Sequence, residues 1–157
     1  ILLETKPASK DIHGRTLRQG YSGKADWNEI GKAVRIAKDS STLIIGNGDV
    51  SSKAEALEKV NQSGVDGVLI GRASFGNPWA FNDEDASINQ KAAVALEHAQ
   101  LYEKTFNEDE KYSFLPMRKH LSWYIKSFEK AKEVRKQLVL TNNSQEVKEI
   151  FDKYELL

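Results

Sequence analysis

Two short apolar runs constrain this chain more than any other feature: Ile44-Ile45-Gly46-Asn47-Gly48-Asp49-Val50 and Val68-Leu69-Ile70-Gly71-Arg72-Ala73. Each stops abruptly in glycine and polar residues, with a helical pattern following. A buried parallel strand that delivers its C-terminal end to a ligand has this form. The two ends lie about one strand-helix unit apart, as neighbouring rims of one site would. Glycine lets backbone N–H groups approach a phosphate closely, and Arg72 adds a fixed charge with a forked donor set. Two ordinary βα turns would leave the same local signal.

Composition sets the bounds. With 157 residues and 39% hydrophobic content, the chain suffices for one ordinary domain or two small ones. Its 23 basic and 23 acidic residues balance, so net charge gives no argument for a nucleic-acid partner. The distribution is uneven, however. Asn82 to Glu110 carries eight acids, Asp109 and Glu110 among them, against Lys91 and Lys104. Lys111 to Lys136 carries eight bases against Glu129 and Glu133. Such asymmetry points to an anionic partner for the basic part, or to two solvated helix faces that attract each other. The absence of cysteine removes disulfides, thiolate metal sites and cysteine nucleophiles from these residues. His13, His98 and His120 are widely separated, which gives a metal site little support. No apolar run approaches a membrane span and the start lacks a signal pattern, so the expectation is a soluble, cytoplasmic protein.

In chain order, Ile1-Leu2-Leu3 is apolar but Glu4 to Lys10 is polar and broken by Pro7. Gln19-Gly20-Tyr21-Ser22-Gly23 reads as an exposed loop. A helix is expected from Trp27, with Asp26 as N-cap and Glu29 completing a capping box. A strand follows over Thr42–Gly46, and a helix with Ser52 and Glu55 as a second capping-box pair. Gly64 ends that helix as a left-handed cap, before a strand over Asp66–Ile70. Phe75, Trp79 and Phe81 are expected to pack against the end of the sheet. The charged stretch Asn82 to Asp85 is the expected domain boundary. Beyond it, helices are expected over Ile88–Phe106, Ser113–Phe128, Ala131–Leu140 and Gln145–Tyr154. Leu101 falls on the apolar side of the first of these, and Arg118, Ser122 and Lys126 share a surface row of the second.

Four separated stretches in this order resemble one family. They are His13-Gly14-Arg15-Thr16, Asn47-Gly48-Asp49, Gly71-Arg72-Ala73 with Gly76-Asn77-Pro78-Trp79, and Met117 to Tyr124. Gln19 to Trp27 matches as well. Together they resemble the tRNA-dihydrouridine synthases, in particular the bacterial B-type branch, from about His13 to the end of the chain.

The resemblance implies the C-terminal part of a (β/α)8 TIM barrel over 1–81, followed by a helical bundle that holds tRNA over 82–157. It implies an oxidoreductase with FMN at the strand ends and NADPH as reductant. A hydride passes from the flavin to the C5–C6 bond of a flipped-out uridine in tRNA, and a cysteine protonates the other carbon. Asn47, Gly48 and Asp49 match the seventh-strand rim, and Gly71 with Arg72 the eighth, where barrels commonly bind phosphate. His13 matches a histidine beside the flavin, or is a turn histidine bonded to a backbone carbonyl. Arg15 either contacts substrate or braces its loop. Arg118, Lys119, His120 and Lys126 are the implied tRNA contacts, or members of a solvated face. Trp123 and Tyr124 read as core.

A complete barrel takes roughly 250 residues and eight strands. Only two strands are clear in this sequence, because Pro7 and the charges around it argue against a third before His13. The family's catalytic cysteine and its first-half flavin residues have no counterpart here. The expectation is therefore a C-terminal portion that needs an N-terminal barrel half as partner, is inactive alone, and is oligomeric or prone to aggregate through its uncovered sheet edge. The alternative function is a non-catalytic RNA-binding module built on the basic helices.

Overall fold

The computed structural model of the chain describes residues 2–108 and 111–157, so Ile1, Asp109 and Glu110 lie outside the described residues. The fold is mixed α/β, with three parallel strands followed by helices. Two compact units emerge. One gathers the residues up to Ser74 together with Trp79–Glu84; the other gathers Phe75–Pro78 and the residues from Asp85 onward.

The first unit holds a sheet in the order β1 (Ser9–His13), β2 (Leu43–Asn47), β3 (Gly67–Leu69), all parallel. Helices α1 (Trp27–Ala37) and α2 (Lys53–Ser63) make the crossovers. Strand β1 corrects the sequence expectation. Ser9 pairs with Leu43 and His13 with Asn47, so Lys10 and Asp11 lie within a strand despite their charge. Pro7 precedes the ladder and interrupts none of its bonds, while its carbonyl accepts from Thr42 Oγ1 at 2.8 Å. Ile12 packs against the core formed by Ile30, Ala37, Ile44 and Val65.

Local signals set the helix ends, with two differences from expectation. Asp26 caps α1 by accepting from the Asn28 and Glu29 backbone N–H groups. Its own N–H is taken by Gly14 O at 2.7 Å, and Glu29 bonds Lys32 instead of closing a capping box. Ser52 caps α2 through Glu55 N–H, but the Glu55 carboxylate turns to Ser51. Asp83 accepts from the Lys53 and Ala54 N–H groups, serving the free donors of the first turn from thirty residues downstream. Gly64 closes α2 with φ 76°, in the left-handed region that glycine enters without strain.

The second unit contains α3 (Ile88–Phe106), α4 (Leu115–Tyr124), α5 (Ala131–Leu138) and α6 (Ser144–Lys153). A full capping box of Ser87 and Gln90 starts α3. Its alanines Ala92, Ala95 and Ala99 let neighbouring helices approach closely, and Met117, Leu121, Val134, Leu138, Val147 and Phe151 fill the interior. Leu101 departs from expectation, at 59% exposed on the outer side of α3. Helix α4 is shorter than its apolar pattern suggests. Ile125 leaves the helical region (φ −94°, ψ 88°), and its released carbonyl accepts from Arg135 at 2.7 Å. Lys126 therefore lies beyond the helix and does not extend a row with Arg118 and Ser122. Phe75 does not serve the sheet: it stacks on Trp123 at 4.4 Å between ring centroids. Gly76 makes this possible, with φ 64° and no space for a Cβ beside the Trp123–Tyr124 backbone.

Candidate functional site

The parallel register brings the C-terminal ends of three strands level, His13 beside Asn47 and Asn47 beside Leu69. The first loop is stitched to that edge by Gly14 N–H donating to Asn47 O at 2.9 Å. Trp27 lies against Gly46, where a Cβ would sit 2.5 Å from the indole ring, and its Nε1 donates to Gly48 O at 3.0 Å. Gly48 has φ 138° and faces Ala25 and the His13 ring, so only glycine suits this turn.

Asp49 is the next residue, at φ 58°, a conformation rare outside glycine, asparagine and aspartate. Its Oδ2 accepts from Arg15 at 2.7 Å and from the Ala25 N–H at 2.8 Å. Its Oδ1 accepts from Arg72 at 2.8 Å. The Ala25 N–H bond, helped by the Arg15 bond and the charges of Arg15 and Arg72, holds the Asp49 carboxyl below its ordinary value, although burial, second in size only to the Ala25 bond, opposes them. One carboxylate thus unites the end of β2, the loop after β1 and the loop after β3.

Its two arginine partners differ. The Arg15 side chain is only 6% exposed, also donates to Gly23 O at 2.7 Å, and keeps a buried Nε without a partner. Of the two readings open for Arg15, the geometry is that of a loop brace. Arg72 is 53% exposed, and its guanidinium lies 4.9 Å from the centre of the Tyr21 ring. Gly71 beside it opens onto free space, with nothing within 4 Å of where a Cβ would stand. His13 is exposed, and its Nδ1 accepts the Arg15 N–H at 3.0 Å, leaving the ring proton on Nε2. A cavity of about 430 Å³ adjoins the network, lined by Arg15, Lys24, Trp27, Asp49 and Lys59 among others. Two guanidinium groups against one carboxylate leave a net positive corner at the strand ends, with one open fork to accept an anionic oxygen. This chemistry fits a phosphate-bearing ligand.

The basic candidates of the helical unit are not equivalent. Arg118 is spent internally, donating to Thr141 O at 2.7 Å and to Asn142 Oδ1 at 2.8 Å, which ties down the chain after α5. Lys119 is exposed and stands 5.0 Å over the Trp123 ring. His120 meets His98 at 5.3 Å and Trp123 at 4.9 Å between ring centroids. Burial holds both histidines below the ordinary 6.5, and at His120 the nearby His98 and Lys119 add to the effect. Lys126 is exposed. Trp123 carries Phe75 stacked on it and Lys119 above its ring, and Tyr124 is buried, so neither offers a free stacking face.

Sequence reasoning missed Tyr21, Ala25 and Trp27 as parts of the network. Only their presence in the glycine-bearing loop stretch hinted at them. Among the described residues, no group of three or more His, Cys, Asp or Glu is arranged to hold a metal ion, and no helix is long and apolar enough to cross a membrane.

Comparison with known proteins gives a consistent answer. The family model described as Dihydrouridine synthase (Dus) matches residues 11–156. A probable tRNA-dihydrouridine synthase of Staphylococcus epidermidis is 33% identical over 98% of this chain and 48% of its own length. One of Rickettsia conorii is 34% identical over 88% of the chain and 44% of its own length. One of Mycobacterium tuberculosis is 30% identical over 93% of the chain and 39% of its own length. The chain thus spans less than half the length of these relatives, and the match runs through both the strand-end network and the helices. The chain belongs to the dihydrouridine synthase family.

Proposed function

We propose that these residues form the cofactor-phosphate and tRNA-facing portion of an FMN-dependent tRNA-dihydrouridine synthase with NADPH as reductant. The three parallel strands then correspond to the last strands of a (β/α)8 barrel, whose phosphate sites follow strands seven and eight. The observation that carries the reading is the open Arg72 fork beside Gly71, level with Gly48 and His13 at the strand ends.

FMN would supply the hydride for the uridine C5–C6 bond. The residues here bind and orient. Arg72 receives the phosphate through its free N–H groups, and Gly71 keeps the approach clear. His13, with its proton on Nε2, is a donor at the rim, and Asn47 and Gly48 shape the seventh-strand edge. Lys119 and Lys126, with His120, face the phosphates of tRNA in the cytoplasm. Arg15 and Arg118 act as braces and not as contacts. The chain contains no cysteine, so proton donation to the second uridine carbon falls to a residue of the N-terminal barrel half. These residues alone are expected not to turn over.

Fluorescence titration with FMN tests the reading. The chain should quench flavin emission, and Arg72→Ala should weaken binding about tenfold or more through loss of a charge-assisted contact. Unchanged affinity in Arg72→Ala would remove the phosphate assignment. Salt-dependent tRNA binding in the absence of any FMN binding would favour an RNA-binding module instead.

A further inference from the structure

Arg72 is the only described group of the network that is both cationic and half open to solvent, yet nothing in its own loop fixes its direction. Its long side chain is flexible unless a partner holds it. The partner is Asp49, and Asp49 is itself held by two donors from a different loop, the Arg15 guanidinium and the Ala25 N–H. Arg15 in turn is fastened to Gly23 O and nine-tenths buried. A chain of hydrogen bonds therefore runs from the loop after β1, through one carboxylate, to the arginine after β3.

A carboxylate is a poor direct ligand for a phosphate, because like charges repel. Both Asp49 oxygens are already engaged by donors. We infer that the Asp49 carboxylate is a positioning group: it does not touch the cofactor phosphate but aims Arg72 at it and couples that aim to the fold of the loop from Gly14 to Asp26. The inference rests on the phosphate reading proposed above. It makes the Asp49 side chain the keystone beneath a cofactor contact, while the Asp49 backbone stays part of the strand-end rim. Tyr21, stacked over the Arg72 guanidinium, completes the coupling from the loop side.

The sign of one substitution separates this role from its rivals. Asp49→Asn suits the left-handed backbone, which asparagine tolerates, and removes only the charge. If Asp49 were merely a negative neighbour, losing it would tighten FMN by relieving repulsion. As a positioning residue, its loss releases Arg72, and FMN should weaken about tenfold, the scale of one charge-assisted hydrogen bond. Riboflavin, which lacks the phosphate, should change less than about twofold in parallel. Tighter or unchanged FMN binding overturns the inference. An equal loss for FMN and riboflavin also overturns it, since that marks a general disturbance of the fold.

A second readout needs no flavin. Trypsin cleavage after Arg18 and Lys24, both exposed in the coupled loop, should accelerate in Asp49→Asn while cleavage in the helical unit keeps its rate. Unchanged loop cleavage overturns the coupling. Accelerated loop cleavage in a protein whose wild type binds no FMN would retain the coupling and sink the cofactor reading instead.

Discussion

Arg15 and Arg72 both donate to the carboxylate of Asp49, one to each oxygen, at 2.7 and 2.8 Å. They lie 34 residues before it and 23 after, so the contact closes two long stretches of chain on a single charge. The site is consequently a property of the fold and not of any one loop.

That arrangement makes the first unit sensitive to acid. The folded-state value of Asp49 is depressed from the ordinary 3.8, chiefly by the Ala25 N–H and by Arg15. Its contribution to stability is present above that ordinary value and is lost as pH falls through the depressed folded value. Urea melts of wild type and Asp49→Asn should differ by a constant amount from neutral pH to about 4, and the gap should close at lower pH. A gap independent of pH would show that the charge is irrelevant.

Gly46 is the point where the strand meets Trp27. A methyl group there would stand 2.5 and 2.7 Å from two atoms of the indole ring. Gly46→Ala should therefore displace Trp27 from Gly48 O and destabilise the first unit by about 1–3 kcal/mol, the usual cost of overpacking. The urea midpoint reports this directly, and an unshifted midpoint would mean that the ring moves freely.

The two adjacent basic residues of α4 should separate cleanly. Arg118→Ala leaves the Thr141 carbonyl without its side-chain donor and should cost about 1–3 kcal/mol of stability. Lys119→Ala should stay within about 0.5 kcal/mol, as surface changes do. For tRNA, Lys119→Ala should lower the dependence of log affinity on log salt by about one unit. The opposite pairing, a destabilising Lys119→Ala and a silent Arg118→Ala, would reverse the assignment.

The helical unit should weaken in mild acid for a different reason. His98 and His120 are held below the ordinary 6.5, first by burial. Below 6.5 the unfolded chain takes up protons that the folded unit resists, so stability falls as pH drops through the depressed folded values. Melting at pH 5.5 should come earlier than at pH 7.5, and His120→Gln should shrink that difference. An equal difference in the variant would place the titration elsewhere.

What could be read from sequence was what local chemistry decides. Asp26 and Gly64 cap helices on rules that involve only a few neighbours, and the span of α3 followed from its periodicity. Strand β1 was hidden because its evidence is the ladder with β2, more than thirty residues away, which outweighs the charges of Lys10 and Asp11. The early end of α4 was equally hidden, since no breaker marks Ile125 and Arg135 takes up its carbonyl from another helix. At the site, the glycine-rich ends and Arg72 were legible as motifs. The roles of Asp49 and Arg15 were not, because a motif names residues without saying which of them touch.

The most direct test of the central claim follows the phosphate itself. The ³¹P resonance of FMN should shift and broaden on titration with the chain, and should move much less at the same protein concentrations with Arg72→Ala. The same shift in both proteins, or none in either, would contradict a phosphate site at Gly71 and Arg72.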